Sequence, residues 1–169
     1  MTDPADHHST TDTTDPGPAT WPRRPVPHHT AGWTLDISHL ADTARARRQL
    51  RAHLADLAPD PDRDDPDPDD VEEATERILL AADEMASNGV RHGGPPVVLG
   101  AHTCGPGQVL ITVTDHAPGT PPAPDPERDH AHGGLGLLIV AAYARAHGWW
   151  PGTGLKTVWA LLPTRSQAR

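Results

Sequence analysis

The chain has 169 residues, room for one domain, and its 23 acidic against 14 basic side chains give a formal net charge of −9. That balance argues against a general nucleic-acid binder, which needs a basic footprint. A single cysteine, Cys104, excludes an intrachain disulfide, and no run of about 20 apolar residues is present to span a membrane.

Residues 1–32 are rich in Pro, Asp, Thr and His. Such a segment buries too little apolar surface to offset its ordering entropy, so a disordered tail is expected, with the folded domain over 33–165. The opening MTDPADHHST is acidic and lacks an apolar core, so no secretory signal is expected, and with a single cysteine fitting a reducing cytosol the expected location is cytoplasmic. Arginine and alanine stand where lysine and isoleucine are common elsewhere; Lys156 is the one lysine. This bias suits a GC-rich bacterial genome.

GWTLDIS (32–38) alternates Trp33, Leu35 and Ile37 and reads as a strand. Residues 39–58 follow with apolar positions near helical period. The proline-broken acidic run 59–70 is a loop, and Asp70 three residues before Glu73 predicts a capped helix over 71–92, stopped by Gly93-Gly94-Pro95. Residues 96–103 and 108–115 are β-branched runs around a CGPG turn, a predicted hairpin. A long loop (116–134), a third helix (135–148) and a closing strand (155–163) complete the order. The fold class expected is α+β: a two-layer sandwich whose mixed, largely antiparallel sheet carries helices on one face.

The helix 71–92 raises a question of chemistry. Ile78, Ala82, Met85 and Gly89 form its apolar stripe, and Glu84, Asn88 and His92 make an adjacent row, about 80–100° round. An amide oxygen can ligate a hard cation, and a carboxylate one turn away can accept a proton. Taken alone, the row is equally a solvated edge held by weak pair interactions.

Three other segments bear on the choice. Asp115 ends a strand and can accept a hydrogen bond from an exocyclic amine, though a turn-forming Asp is commoner. Gly133, Gly134 and Gly136 open a helix, where backbone N–H groups can approach phosphate, or where the chain merely turns. Lys156 and Thr157 start the last strand; without the contiguous Gly-Lys-Ser/Thr of a P-loop they are not one.

Taken together, EMASNGVRHGG, VTDHAPG, GGLGLLIVAAYARAHGW and GLKTVWALLP resemble the Asn-containing box, the two glycine boxes and the terminal strand of a known superfamily. It is the ATPase domain shared by gyrase, heat-shock chaperones, histidine kinases and mismatch-repair proteins. Within it the chain is most similar to the small anti-sigma-factor serine kinases abundant in actinobacteria. The resemblance covers about residues 33–163.

It implies an ATP- and Mg²⁺-binding regulator of transcription with serine/threonine kinase activity toward a partner antagonist protein. A sigma factor is a further implied partner, and a homodimer is common in such proteins. Asn88 would bind the Mg²⁺ that bridges the ATP phosphates, and Glu84 would be the general base. Asp115 would receive the adenine amine, and Gly119, Gly134 and Gly136 would shape the pocket and its lid. Thr157 would lie near the adenine or the phosphates, and His92, last in the row, counts with the cofactor-binding residues. Phosphoryl transfer depends mostly on positioning and charge stabilisation, so few residues suffice.

Two positions depart from the family pattern: Ala117 stands where a glycine is expected, and Gly89 where an alanine is usual. Arg128 is the cation of the expected lid (118–132), either charge-stabilising or solvated. An alternative function is a catalytically silent, nucleotide-gated binding module. A weaker one is metal binding by the pairs His7/His8, His28/His29 and His130/His132, which lack a ligand scaffold.

Overall fold

The structure is a computed structural model and describes residues 21–30, 32–57, 67–122 and 135–165. Its sheet has five strands: β1 (Trp33–Asp36), β2 (Val98–Thr103), β3 (Gln108–Asp115), β4 (Ala146–Pro151) and β5 (Lys156–Pro163), in the order β1-β2-β3-β5-β4. All four pairings among these strands are antiparallel, and one parallel bridge joins Arg23 to Trp149, in keeping with the expected largely antiparallel sheet. Helices α1 (Thr43–Asp56), α2 (Pro68–His92) and α3 (Gly136–Tyr143) complete the α+β layer arrangement.

Directly paired residues share a face of an antiparallel sheet. Leu99, Ala101, Ile111, Val113, Val158 and Ala160 thus form one buried apolar face, and α2 lies on it. The hairpin β2–β3 turns through Gly105 and Gly107, whose φ of 85° and 65° favour glycine. α2 begins three residues earlier than the sequence suggests. Asp67, not Asp70, caps it, its carboxylate accepting from the Asp69 N–H at 3.0 Å, and Pro68 supplies a preset φ for the first turn. Asp69 and Asp70 face the positive end of its dipole, Arg91 and His92 the negative end.

The helix expected over 135–148 is corrected. It ends at Tyr143, Ala144 turns extended, and Arg145 N–H donates to Leu161 O at 2.8 Å, which launches β4 against β5. An all-apolar run followed by Gly-Trp-Trp carries no period that separates a helix from the strand after it.

The expected tail is also corrected, for residues 21–30; residues 1–20 lie outside the described residues. Trp21 is buried, its indole N–H donates to Leu137 O in α3 at 3.3 Å, and its ring packs on His147. Arg24 N–H and Pro22 O bond to both backbone groups of Trp149 at 3.0 Å each. The segment then crosses the sheet face turned away from the helices. Arg24 O accepts from the Trp159 indole, the His29 ring packs on His102, and Thr30 N–H donates to Thr103 O. Leu110, Thr112 and Trp159, which point to that face, are consequently buried.

If this strap belongs to the fold, Trp21→Ala should destabilise the domain by about 3 kcal/mol, within the usual cost of deleting a buried aromatic. A urea midpoint unchanged from wild type would show the strap to be dispensable.

Candidate nucleotide site

Helix α2 presents the row of interest along its last turns. Glu84 and Asn88 are half-buried and His92 is exposed. The helix lies close on β3 because two of its turns carry glycine. A methyl group on Gly89 would fall 2.7 Å from a Val113 methyl, and one on Gly93 would fall 2.5 Å from Asp115 Cγ and 2.4 Å from Gly89 O. Beyond the helix, His116 N–H donates to Gly94 O at 3.0 Å and ties the exit of α2 to the exit of β3.

At its other end the row meets α3. A methyl group on Gly136 would fall 1.9 Å from Glu84 Oε2, so the first residue of α3 rests on the Glu84 carboxylate. Arg77 of α2 lies over the Tyr143 ring of α3 at 5.3 Å and helps to hold the two helices together. Glu84, Asn88 and Gly93 thus follow one another along α2 and its exit, with Gly136 of α3 against the first and Asp115 of β3 against the last. From residue 84 to residue 93 that line rises about 13 Å.

Burial, and then the neighbouring Asp83 charge, push the Glu84 carboxyl above the usual range, while Arg91 pulls it back. Asp83 is raised by burial too, against the pull of Arg47, whose guanidinium bonds both Asp83 and Glu76. Those ion pairs join α1 to α2 at half-exposed positions, worth at most about 1 kcal/mol each.

Asp115 is fully buried at the end of β3. Its Oδ1 accepts from Lys156 Nζ at 2.8 Å and from Ala117 N–H at 2.9 Å, and Lys156 Nζ also donates to Ala117 O at 3.2 Å. Its Oδ2 is buried and has no hydrogen-bond partner among the described residues. A buried carboxylate oxygen left open is an acceptor awaiting a donor.

Two residues change places relative to the sequence reading. Thr157 does not share a face with Asp115. It pairs with Thr114 on the opposite side of the sheet, the two hydroxyls 3.0 Å apart. Lys156, one residue earlier, is in register with Asp115 and reaches its carboxylate. The sequence held the signal: alternation through Val158, Ala160 and Leu162 puts Lys156 on the buried side.

Gly119 sits exposed in the turn after β3, where Thr120 N–H donates to Ala117 O at 3.1 Å, and space around it is open. Ala117 has a negative φ, as has every described non-glycine residue, so its methyl group strains nothing. Gly133, Gly134, Arg128, the His7/His8 and His130/His132 pairs and residues 123–132 of the expected lid lie outside the described residues. No group of three His, Cys, Asp or Glu side chains able to hold a metal occurs among the described residues, His28 and His29 included.

The site is thus a helix row with a raised carboxyl near one end and an open buried acceptor beside the other, laid across an antiparallel sheet. Residues 37–160 match the family model described as the histidine kinase-like ATPase domain, and the chain belongs to that family. Among solved structures the fold is similar to the crystal structure of the RsbU and RsbW domains of Rv1364c from Mycobacterium tuberculosis. The TM-score is 0.55 at 20% identity, over 83% of this chain and 34% of that one, so this chain spans about a third of the length of the chain it matches. Among curated proteins none matches. Among the described residues, no helix is long and apolar enough to cross a membrane.

The glycine contacts separate two substitutions. Gly93→Ala sets a methyl group against backbone and the Asp115 stem and should cost about 1–3 kcal/mol. Gly136→Ala meets the Glu84 side chain from its carboxylate to Cγ, atoms that can turn aside where backbone cannot, and the better helix former returns up to about 1 kcal/mol, so it should cost less than Gly93→Ala. Chemical denaturation of both variants measures the difference; equal losses would contradict this packing.

Proposed function

We propose that the domain binds ATP with Mg²⁺ and transfers the terminal phosphoryl group to a serine of a partner protein, as an anti-sigma-factor-type regulator. The observation that carries this reading is Asp115 Oδ2, an open buried acceptor at the far end of the row that holds Asn88 and Glu84. An exocyclic amino group of the base would satisfy it.

The residues present fit a magnesium ion. Mg²⁺ takes one or two protein ligands and fills its octahedron with phosphate oxygens and water, so it needs no cluster of acidic side chains. The half-buried Asn88 amide supplies one oxygen, and the ion, when bound, supplies charge neutralisation for the phosphates.

Glu84 stands one turn before Asn88 on the same row. Its carboxylate takes the proton of the attacking serine hydroxyl while the serine oxygen bonds to phosphorus and ADP leaves. Burial at Glu84 favours this role, because a base whose affinity for the proton is raised toward the working pH transfers it better. Gly136, resting on that carboxylate, limits its rotamers and so holds its aim.

The acceptor would be a protein antagonist, and a sigma factor and a second copy of the chain are the further partners in this reading. The net charge of −9 is consistent with protein rather than nucleic-acid partners. His92 at the end of α2 is exposed and free to meet a ligand or a partner.

Asn88→Ala should weaken Mg²⁺-dependent ATP binding strongly in calorimetry, and equal affinities would remove Asn88 from the metal site. Glu84→Ala should bind ATP normally and lose about 10²–10⁴-fold in transfer of labelled phosphate. Wild type that alters partner affinity with ATP yet never transfers label would make the domain a nucleotide-gated binding module. The base works only when deprotonated, and its proton affinity is raised, so the wild-type rate should fall on acidification. That fall should come at a pH above the roughly 4.3 of an ordinary glutamate. A rate flat down to that value would disqualify Glu84 as the base.

A further inference from the structure

Lys156 is the one lysine of the chain and is almost wholly enclosed. Lysine is rarely buried unless it is paired. Here its partner is the carboxylate that reads the base in the function proposed above, and the inference rests on that reading. We propose that Lys156 is the specificity-determining residue of the base site, because its ammonium occupies Asp115 Oδ1 and sets a positive charge beside the carboxylate, leaving Oδ2 as a pure acceptor.

The geometry supports each step. Oδ1 already accepts two donors, Lys156 Nζ at 2.8 Å and Ala117 N–H at 2.9 Å. The ammonium is itself anchored by Ala117 O at 3.2 Å, so it cannot swing to Oδ2 without giving up a bond. Asp115 and Lys156 stand opposite each other in the β3–β5 register, which fixes the pair through the sheet. Gly93 from α2 and Ala117 from its own loop also lie against Asp115, and neither is charged.

The chemical consequence concerns the 6-position of the purine. An ionised carboxylate oxygen only accepts hydrogen bonds. It suits the amino group of adenine and repels the carbonyl oxygen of guanine. A carboxyl group equally buried but without its cation would take up a proton. It could then donate as well as accept, and either purine would satisfy it. In this domain, discrimination between ATP and GTP comes from the lysine behind the carboxylate as much as from the carboxylate itself.

The test is competition of ATP and GTP against a fluorescent ATP analogue, with Mg²⁺, for wild type, Lys156→Met, Lys156→Gln and Lys156→Arg. Wild type should prefer ATP on the order of 100-fold, the cost of leaving the buried acceptor facing an oxygen. Both neutral variants should fall below about 10-fold preference, chiefly by gaining GTP, while Lys156→Arg keeps the wild-type ratio. Should Lys156→Met fail to fold, Lys156→Gln, which keeps a donor in place, carries the same expectation. Neutral variants that bind both nucleotides more weakly but at the wild-type ratio would reduce Lys156 to a clamp between strands and overturn the proposal. Wild type that binds ATP and GTP equally, or neither, would instead overturn the base-reading role of Asp115, and the proposal with it.

Discussion

The close approach of α2 to the sheet is the constraint on which the rest depends. The buried face of this helix is built from Ala74, Ala81, Ala82, Ala86 and Gly89, with Ile78, Leu79 and Met85 filling the space between. Small side chains bring a helix nearer to a sheet than the usual spacing, and Gly93 continues the approach past the last turn to touch Asp115. The polar row beside this face is thereby fixed at both ends, on Asp115 and on Gly136. A bulkier face would lift Asn88 and Glu84 away from the strand that carries the base reader. Gly89 is thus better understood as a spacing device than as a weak point of the helix.

The buried pair at the end of β3 follows another logic. A buried ion pair contributes little net stability, since desolvation of both groups offsets their attraction, and its loss by halves is what costs. Asp115 and Lys156 are therefore no explanation of why the domain folds; the apolar core of Leu99, Ile111, Val113 and Val158 is. What the pair fixes is direction. One carboxylate oxygen is committed to β5 and the turn at Ala117, and the other is left over.

Much of this was legible in the sequence. The hairpin could be read from two β-branched runs about a glycine turn, and the row Glu84–Asn88–His92 from helical spacing alone. Asp115 was legible as a carboxylate at a strand end. Three features were not. β4 was hidden because Leu137 to Ala142 is apolar throughout, and the step from helix to strand is decided by pairing with β5 rather than by local propensity. The strap was hidden because composition described residues 1–32 as a whole, and Trp21 is one large apolar residue in a polar run. Thr157 was named by the family resemblance, whereas strand alternation through Val158, Ala160 and Leu162 points Lys156 inward.

The strap has a consequence for how molecules of this protein meet. β4 is the outer strand of the sheet on that side, and an uncovered outer strand is a template for pairing with another chain. Here both outward backbone groups of Trp149 are already taken, by Pro22 O and Arg24 N–H. The strap's own rim carries Pro22, Pro25 and Pro27, which have no N–H to offer a further strand. The middle of this border, at Trp149, is thus withheld from edge-to-edge pairing by a segment whose composition suggested no structure at all. The opposite border, β1, is only four residues long, too short to recruit a neighbour with much strength.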